Sequence, residues 1–560
     1  MDEKASVSPE QTSCDWNSID WIRSYLYVRK LRQQIYQAAK GGDLKKVRTL
    51  QRIMLRSYEN RCEAVRRVTQ DNQGKNTPGV DKVLVKTPEA RGRLVDDLAQ
   101  YEPWKPLPTK RVYIPKANGK QRPLGIPVIV DRAIQAIVKN ALEPFWEAQS
   151  EDSSYGFRPG RGCHDAIERI FKLTKSGSKR KWVLDADIKG AFDNIDHEKL
   201  LELIGNFPAR ELIRQWLKAG YMEGGVFHDT EAGTPQGGVI SPLLANIAFH
   251  GMEEALGIQY DTRKGKEASL RDGSMALVRY ADDFVVFCYS KQQAEEAKAK
   301  LMTWFSERGL TFSEEKTKIR HVEEGFDFLG FNIRLFNVQH SAKGEKAIIR
   351  PSQDSVKKVK RKLRSIFREC HGQSAQVLIK KVNPVIRGWA NYFRVGVSKR
   401  IFSQLDNYLF HLQKRWTRRQ HPTKVWGWRK ERYWRTIEGN KWVFTDGESF
   451  MYQFKWTPIE RHICVKRFAS WDDPELETYW TLRKAKSSKA MLTKFQQKVA
   501  EPQNYVCPIC GESLDNGEEL HEHHVVQRRD GGSNRPDNLR IVHLYCHMAI
   551  HGKKQTDSIA

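Results

Sequence analysis

Hydrophobic positions recur at helical spacing through the first part of the chain. Between residues 21 and 70, Val47, Leu50 and Met54 follow one another at intervals of three and four. Asp43, which follows two glycines, is a residue type that caps helices. The pattern therefore predicts a helical N-terminal region, and a Gly-, Asn- and Pro-rich loop follows it.

Short apolar runs at strand spacing alternate with helical segments through the next 250 residues. Residues 112–114 predict a strand. Asp131 is expected to begin a helix that runs to about Phe145, and Cys163 to begin another. A third helix is expected over residues 294–308. The mixture predicts an α+β architecture.

The segment "MALVRYADDFVVFC", residues 275–288, places two adjacent carboxylates between two apolar runs. Both runs carry the β-branched and aromatic residues typical of strands, so Ala281, Asp282 and Asp283 predict the turn of a hairpin. A solvated turn is one interpretation, because aspartate is common in turns. A metal site is the other.

A second strand ends in acids at "WVLDADIKGAFDNIDH" and would carry Asp187 to its end. Phosphoryl transfer with two divalent ions needs carboxylates from separate strands at one place, and Mg²⁺ prefers such oxygen ligands. The pair at 282–283 and Asp187 are therefore candidate Mg²⁺ ligands. The neighbouring acids Asp185, Asp193 and Asp196 are expected on the surface or around the ligands.

The net charge of +27 and the pI near 9.6 favour a polyanionic partner. Nucleic acid is the leading candidate, and an anionic membrane surface is the weaker one. No run approaches the ~18 apolar residues of a membrane span. The polar, acidic N-terminus lacks the pattern of a signal peptide, so we expect a cytosolic protein.

The positive charge is concentrated in residues 356–400, which hold thirteen Lys or Arg and a single acid, Glu369. Several tryptophans lie in this segment or soon after it. Cations interleaved with aromatic rings suit phosphates and unstacked bases. The alternative is a solvated basic helix face above core tryptophans.

The C-terminal segment combines two sets of metal-ligating residue types. A C-x2-C pair and a later H-x2-C pair match a Cys3His zinc knuckle formed by Cys507, Cys510, His543 and Cys546. His547 and His551 are four residues apart and would project from one helix face. The other cysteines are scattered, as buried thiols commonly are.

Eight ordered blocks resemble group II intron reverse transcriptase–maturases over about residues 20–560. "YADD" at 280–283 resembles the polymerase signature of reverse transcriptases. The other blocks are "GKNTPGVD", "RPLGIP", "SYGFRPGRGCHDAI", "DIKGAFDNIDH", "TPQGGVISPLLANI", "EEKTKI" and "FLGFNI".

The resemblance implies roles for individual residues of the polymerase. Asp187, Asp282 and Asp283 would be its Mg²⁺-binding triad. Phe192 would be the gate that excludes a ribose 2′-OH, although a core aromatic is the simpler interpretation of that position. The residues expected to contact the incoming nucleotide are Lys116, Arg122, Gln236 and Gly237.

The tail resembles an HNH, or ββα-metal, nuclease. By that pattern His523, His547 and His551 hold the divalent ion of the nuclease, and His524 is the general base. Asn538 would orient the loop. His521 and Glu522 are expected to face solvent. A purely structural zinc module is the alternative for the whole tail.

The expected fold class is multidomain α+β: a right-hand polymerase with an α-helical thumb, a basic linker domain and a C-terminal ββα-metal module. The expected domains are fingers and palm at 1–350, thumb or maturase domain X at 351–445, a DNA-binding domain at 446–502 and the nuclease at 503–560.

The implied function is an RNA-directed DNA polymerase that assists intron splicing and nicks target DNA for retrohoming. The implied cofactors are Mg²⁺ for the polymerase and the nuclease, and structural Zn²⁺. The implied partners are the intron RNA, target DNA and dNTPs, with no membrane, in the nucleoid region of a bacterial cytoplasm. One alternative is a splicing cofactor that has lost polymerase chemistry, and the intact "YADD" argues against it. The other alternative is a different kind of prokaryotic reverse transcriptase, or a domesticated nuclease.

Overall fold

The computed structural model describes residues 14–99, 104–115, 121–261, 268–339, 344–437 and 439–556. The helices of these residues are α1 (Trp21–Lys40), α2 (Leu44–Arg56), α3 (Tyr58–Arg66), α4 (Pro88–Asp97), α5 (Ile129–Gln149), α6 (Cys163–Thr174), α7 (His197–Ile204), α8 (Arg210–Leu217), α9 (Ser241–Ala248), α10 (Met252–Ala255), α11 (Lys291–Ser306), α12 (Gln353–Glu369), α13 (Ala375–Phe393), α14 (Lys399–Gln420), α15 (Trp426–Tyr433), α16 (Glu477–Met491), α17 (Lys494–Ala500) and α18 (Leu544–Thr556).

The strands form several small sheets rather than one large one. They are β1 (Thr109–Pro115), β2 (Gln121–Ile126), β3 (Trp182–Asp187), β4 (Tyr221–Glu223), β5 (Val226–His228), β6 (Tyr260–Asp261), β7 (Ser269–Leu270), β8 (Ala276–Tyr280), β9 (Asp283–Cys288), β10 (Lys318–His321), β11 (Phe326–Phe328), β12 (Phe331–Asn337), β13 (Glu345–Pro351), β14 (Trp434–Ile437), β15 (Asn440–Phe444), β16 (Leu520–His524) and β17 (Leu539–His543).

The N-terminal helices form as the spacing predicts, and side-chain caps set where they begin. The Asp43 carboxylate accepts a hydrogen bond from the Lys46 amide at 2.9 Å, which confirms the predicted cap of α2. The helix expected to begin at Asp131 begins earlier, at Ile129. Asp131 is buried in its first turn instead, where the Trp104 and Trp216 indole N–H groups donate to it.

The palm is an antiparallel sheet in the order β10-β3-β9-β8, and both of its faces are covered. Phe284, Val286 and Cys288 of β9 point into one hydrophobic core, and Val285 and Phe287 point into a second. This alternation explains the continuous apolar run after the "YADD" turn, because a strand buried on both faces needs no polar side.

The fingers sheet has the order β2-β1-β4-β5. Its first hairpin pairs β1 with β2, from Lys110 opposite Ile126 to Pro115 opposite Gln121. The five residues between these strands lie outside the described part of the chain, and Lys116 is one of them.

Helices α12, α13 and α14 pack over the second core as the thumb. Four apolar residues of α12 are buried, among them Leu363 and Phe367, and its cations project outward. The tryptophans in and after the basic segment include both core residues and an exposed one. Trp416 and Trp434 are core residues, whereas Trp442 keeps 43% of its surface exposed.

The segment between thumb and tail is docked on the body of the protein through buried charges. Arg32 of α1 donates to Asp472 at 2.8 Å and to Glu143 of α5 at 2.9 Å, and all three side chains are buried. Trp480 of α16 is buried against Gly160, where an added Cβ would lie 2.5 Å from the indole.

The tail is a small ββα module. Strands β16 and β17 pair antiparallel, and α18 packs against both. Its core contains three cysteines together with Leu539, Ile541 and Val542. The predicted multidomain α+β class, with its C-terminal ββα unit, is confirmed.

Candidate polymerase and nuclease sites

The palm carboxylates meet where β3 ends and β9 begins. Asp187 and Asp283 are direct cross-strand partners, and Asp282 lies in the turn just before Asp283. Ala281 makes that turn with φ of 57°, a left-handed conformation that non-glycine residues rarely adopt. The hairpin predicted from the sequence is therefore present, and the three acids of the predicted triad lie at the same end of the palm sheet.

The pKa values of the two turn carboxyls, Asp282 and Asp283, are raised. Partial desolvation, and then repulsion from Asp282 and Asp187, raises the pKa of Asp283 to about 7, although its side chain stays accessible to solvent. Burial and the charge of Asp187 also raise the pKa of Asp282. A bound cation would relieve the repulsion between the neighbouring carboxylates, so these residues fit a divalent ion.

Lys316 is a functional neighbour that sequence reasoning missed. Its Nζ donates to Asp187 Oδ2 at 2.7 Å, and its charge also faces Asp282 and Asp283. The only signal was its presence in the "EEKTKI" block, 129 residues from Asp187. Its ammonium group offsets part of the carboxylate charge, and the Arg122 guanidinium also acts on Asp282.

The acids near the triad have separate positions. Asp185 is half-buried on the same strand face as Asp187, and burial first and neighbouring charges second raise its pKa to about 6. Asp196 caps α7 by accepting from the Lys199 amide at 2.7 Å. Asp193 accepts from Gln236 at 3.3 Å.

Two of the predicted nucleotide contacts lie side by side at the fingers. Arg122 Nε donates to Gln236 Oε1 at 2.6 Å. Gly237 lies against β2, where a Cβ would come 2.5 Å from the Gly125 carbonyl oxygen. Gln236 also borders a cavity of about 260 Å³ that reaches Arg111 and Asp193. Lys116 lies outside the described residues, so its predicted contact is not placed.

Phe192 lies in the palm core with 6% of its surface exposed. Its ring meets Phe157 edge-on, with centroids 6.3 Å apart. The simpler interpretation, a core aromatic, therefore describes its packing, and the gate role stays a prediction.

The "SYGFRPGRG" loop supports the "YADD" turn from below, a role that the sequence did not reveal. A Cβ on Gly156 would lie 2.3 Å from the amide nitrogen of Ala281 and 2.9 Å from the carbonyl carbon of Tyr280. Asn246 Nδ2 donates to the Gly156 carbonyl at 2.9 Å and holds the loop in place.

The predicted Cys3His set converges in the tail. Cys507, Cys510, His543 and Cys546 are all buried, and their potential ligand atoms lie within 4.8 Å of one another. The His543 ring is oriented for ligation: Nδ1 lies 3.3 Å from Cys510 Sγ, and Nε2 lies 3.3 Å from the Ser513 carbonyl oxygen. The residue types and closed geometry fit a structural zinc site.

A second cluster consists of His523, His547 and His551, again with ligand atoms within 4.8 Å. Burial and the neighbouring imidazoles lower the pKa of His547 to about 4, which keeps it neutral, as a metal ligand must be. Among the residues that the structure describes, only the two tail clusters reach this spacing; the palm carboxylates are neighbours without closing to it.

The remaining tail residues separate into those that touch the histidine cluster and those that shape the loop. His524 lies outside the cluster, and its Nε2 lies 2.8 Å from Asn534 Oδ1. Asn538 exchanges hydrogen bonds with both the N–H and the carbonyl of Val526, in keeping with the loop role predicted for it.

The expectation for His521 holds only in part. Its side chain keeps 33% of its surface exposed, but it shares a strand face with His523, and its ring lies 5.3 Å from that of His547. Glu522 is exposed, as predicted, because strand alternation turns it to the other face.

Four family models match successive parts of the chain. They describe an N-terminal domain of reverse transcriptase at 16–98, a reverse transcriptase (RNA-dependent DNA polymerase) at 114–333, a group II intron maturase-specific domain at 356–434 and an HNH endonuclease at 507–553. The group II intron-encoded protein LtrA of Lactococcus lactis subsp. cremoris is 30% identical over 71% of this chain and 74% of its own length. The chain belongs to the group II intron-encoded reverse transcriptase–maturase family.

Membership in this family makes the chain an RNA-directed DNA polymerase with maturase and HNH endonuclease domains. Protein YkfC of Escherichia coli (strain K12) is similar too, at 36% identity over 48% of this chain and 78% of that protein. A telomerase structure from Candida albicans matches at 13% identity over 58% of this chain and 60% of that one, with a TM-score of 0.33. No helix within the described ranges is long and apolar enough to span a membrane.

The close contact beneath the "YADD" turn leaves no room for a side chain at Gly156. Gly156→Ala would push its methyl group into the backbone of Ala281 and displace the carboxylates. We expect DNA synthesis on an RNA template to fall by about 100-fold, the cost of roughly a 1 Å misplacement. Single-turnover primer extension measures it.

The matched control is Gly162→Ala in the same loop. A Cβ there meets only Asp165 Oδ2, at 4.0 Å, and the backbone is of an ordinary extended type. This variant should extend primers at nearly the wild-type rate. Equal rates for the two variants would show that the loop does not position the turn.

Proposed function

We propose that Asp187, Asp282 and Asp283 hold two Mg²⁺ ions and that DNA synthesis takes place at this sheet edge. The observation that carries the proposal is the register that sets Asp187 opposite Asp283, where desolvation first and repulsion between carboxylates second raise the pKa of the turn carboxyls. Two such ions activate an attacking hydroxyl and stabilise the leaving pyrophosphate. The carboxylates supply the hard oxygen ligands, and Lys316 adds a positive charge beside them.

The fingers supply nucleotide contacts in this proposal. The Arg122 guanidinium offers planar donors to the triphosphate, and Gln236 fixes it from the palm side. Lys116 would add a second cation from the β1–β2 connection. Gly237 keeps the chain close to β2, which leaves room for the base pair.

The thumb and the segment after it bind nucleic acid in our proposal. Residues 351–445 would bind the intron RNA and assist splicing. The support is the outward-facing cations of α12, which include Lys357, Lys358, Arg361 and Lys362. Such a surface attracts phosphates, and RNA of defined shape then contributes specificity. Residues 446–502 would contact target DNA, and residues 1–350 would form fingers and palm.

The tail, residues 503–560, nicks target DNA in this proposal, and the new end primes reverse transcription during retrohoming. Cys507, Cys510, His543 and Cys546 would hold structural Zn²⁺, and His523, His547 and His551 would hold an exchangeable divalent ion, with Mg²⁺ the expected one. His524 would take a proton from the attacking water, and Asn534 and Asn538 would hold that loop. The protein would act as a ribonucleoprotein in the bacterial cytoplasm, close to the nucleoid.

Removing charge at the turn tests the polymerase site. Asp282→Asn together with Asp283→Asn keeps the side-chain size and replaces two anionic ligands with weaker neutral ones. We expect Mg²⁺-dependent DNA synthesis on RNA to fall by roughly a thousandfold or more. Folding stability should not fall, because like-charge repulsion is removed. RNA binding, measured by filter retention, should persist, and near wild-type synthesis would refute the two-metal assignment.

Phe192→Val tests the gate. A smaller side chain would admit a 2′-OH, so ribonucleotide incorporation should rise relative to deoxyribonucleotide incorporation. Phe207→Val is the matched control, because Phe207 is equally buried in the same core, at 6% exposure. Competition primer extension with paired nucleotides gives both ratios. If Phe192→Val keeps the wild-type ratio in an active enzyme, it is a core residue only.

The two tail clusters should fail in different ways. Cys507→Ser should lose zinc and make the tail protease-sensitive, since such modules are rarely folded without metal. His524→Ala should keep zinc and folding while DNA nicking falls by about 100-fold or more. Both should extend a supplied primer normally. Cys464→Ser is the thiol control and should keep its zinc. Normal nicking by His524→Ala would contradict the nuclease assignment, and the tail would then be a DNA-binding module stabilised by zinc.

A further inference from the structure

The zinc end of the tail lies against the N-terminal helices. A Cβ at Gly511, beside the Cys507–Cys510 knuckle, would lie 3.7 Å from the Tyr25 ring and 3.9 Å from Ile22 of α1. Tyr545, which precedes Cys546, has the Lys75 ammonium 4.7 Å and the Arg91 guanidinium 6.0 Å from its ring centroid. Two regions more than 400 residues apart in sequence therefore share an interface.

Arg66 of α3 reaches across this interface to the metal cluster itself. Its side chain is 5% exposed, and Nη2 lies 3.6 Å from Cys546 Sγ and 3.4 Å from Glu518 Oε1. The Trp21 ring covers its guanidinium, with 4.9 Å between Cζ and the ring centroid. Asp71 Oδ1 lies 3.9 Å from its Nε.

The charges explain why a cation belongs there. Three thiolates and one neutral imidazole around a divalent zinc sum to one negative charge. Glu518 adds another carboxylate, buried and 3.8 Å from His543 Nδ1. Buried charges are costly unless they are paired. In this site the pairing cation comes from a different domain.

We infer that Arg66 is an outer partner of the Cys3His zinc site and that this site is the joint that fastens the nuclease module to the N-terminal helices. The inference rests on the zinc assignment proposed above and goes beyond it, because it makes metal binding and domain docking a single event. Outer partners of this kind orient ligands and strengthen their hold on the metal.

The joint determines where the nuclease cluster points. Cys546 lies in the first turn of α18, and His547 and His551 follow on the same helix. A helix held at Cys546 has little freedom to rotate, so Arg66 acts as a positioning residue for the nuclease. The alternative is that Arg66 pairs only with Glu518, in which case zinc would be indifferent to it.

The test compares two arginines of the same interface in the full-length protein. Arg66→Met removes the guanidinium beside Cys546. Arg91→Met is the matched control: Arg91 is also buried and near Tyr545, yet its Nε donates to Thr69 Oγ1, away from the cluster. Zinc content is measured first. Zinc transfer to a chelating dye then gives the relative affinity of each variant.

We expect Arg66→Met to release zinc about tenfold more readily, or more, and Arg91→Met to match the wild type. A second measurement uses only the wild-type protein: amide hydrogen exchange is recorded before and after zinc is removed with a chelator. Zinc removal should expose amides of α3 and α1 as well as those of the tail.

Two results would overturn the inference. One is equal zinc release from Arg66→Met and the wild type. The other is amide hydrogen exchange in α3 that does not change when zinc is removed. In either case the zinc assignment itself would stand if the wild-type protein holds one equivalent of zinc. A wild-type protein without bound zinc would instead overturn that assignment and the inference together.

Discussion

Electrostatic repulsion among three carboxylates at one end of the palm sheet is the interaction that the surrounding structure has to offset. An antiparallel register sets Asp187 opposite Asp283, and a left-handed residue, Ala281, turns the chain between β8 and β9. The β8–β9 hairpin by itself would be only marginally stable in water. Two hydrophobic cores cover both faces of the sheet and supply the burial that the hairpin lacks.

The elements around that edge limit its freedom further. Gly156 lies so close to the turn that no side chain fits, and Lys316 offsets charge at Asp187. Positively charged side chains elsewhere occupy two kinds of environment: the cations of α12 face solvent, whereas Arg32 and Arg66 are buried and join distant segments.

Much of the candidate site follows from sequence because its parts are local. The "YADD" hairpin, the strand ending at Asp187 and the Cys and His spacings each occupy a few consecutive residues whose geometry is set by strand alternation or helix periodicity. His521 shows the limit of such reasoning. Alternation alone places it on the face of His523, but a family pattern that gives it no role did not reveal its proximity to His547.

The sequence by itself determined the chemistry of this protein: which residues can bind metal, which strands and helices carry them, and the family to which the chain belongs. Tertiary structure decided which of those residues meet. Lys316 pairs with a residue 129 positions away, and Arg66 reaches a thiol 480 positions away. No periodicity or motif encodes such contacts, because they depend on how separately folded elements pack and on where buried charges find partners.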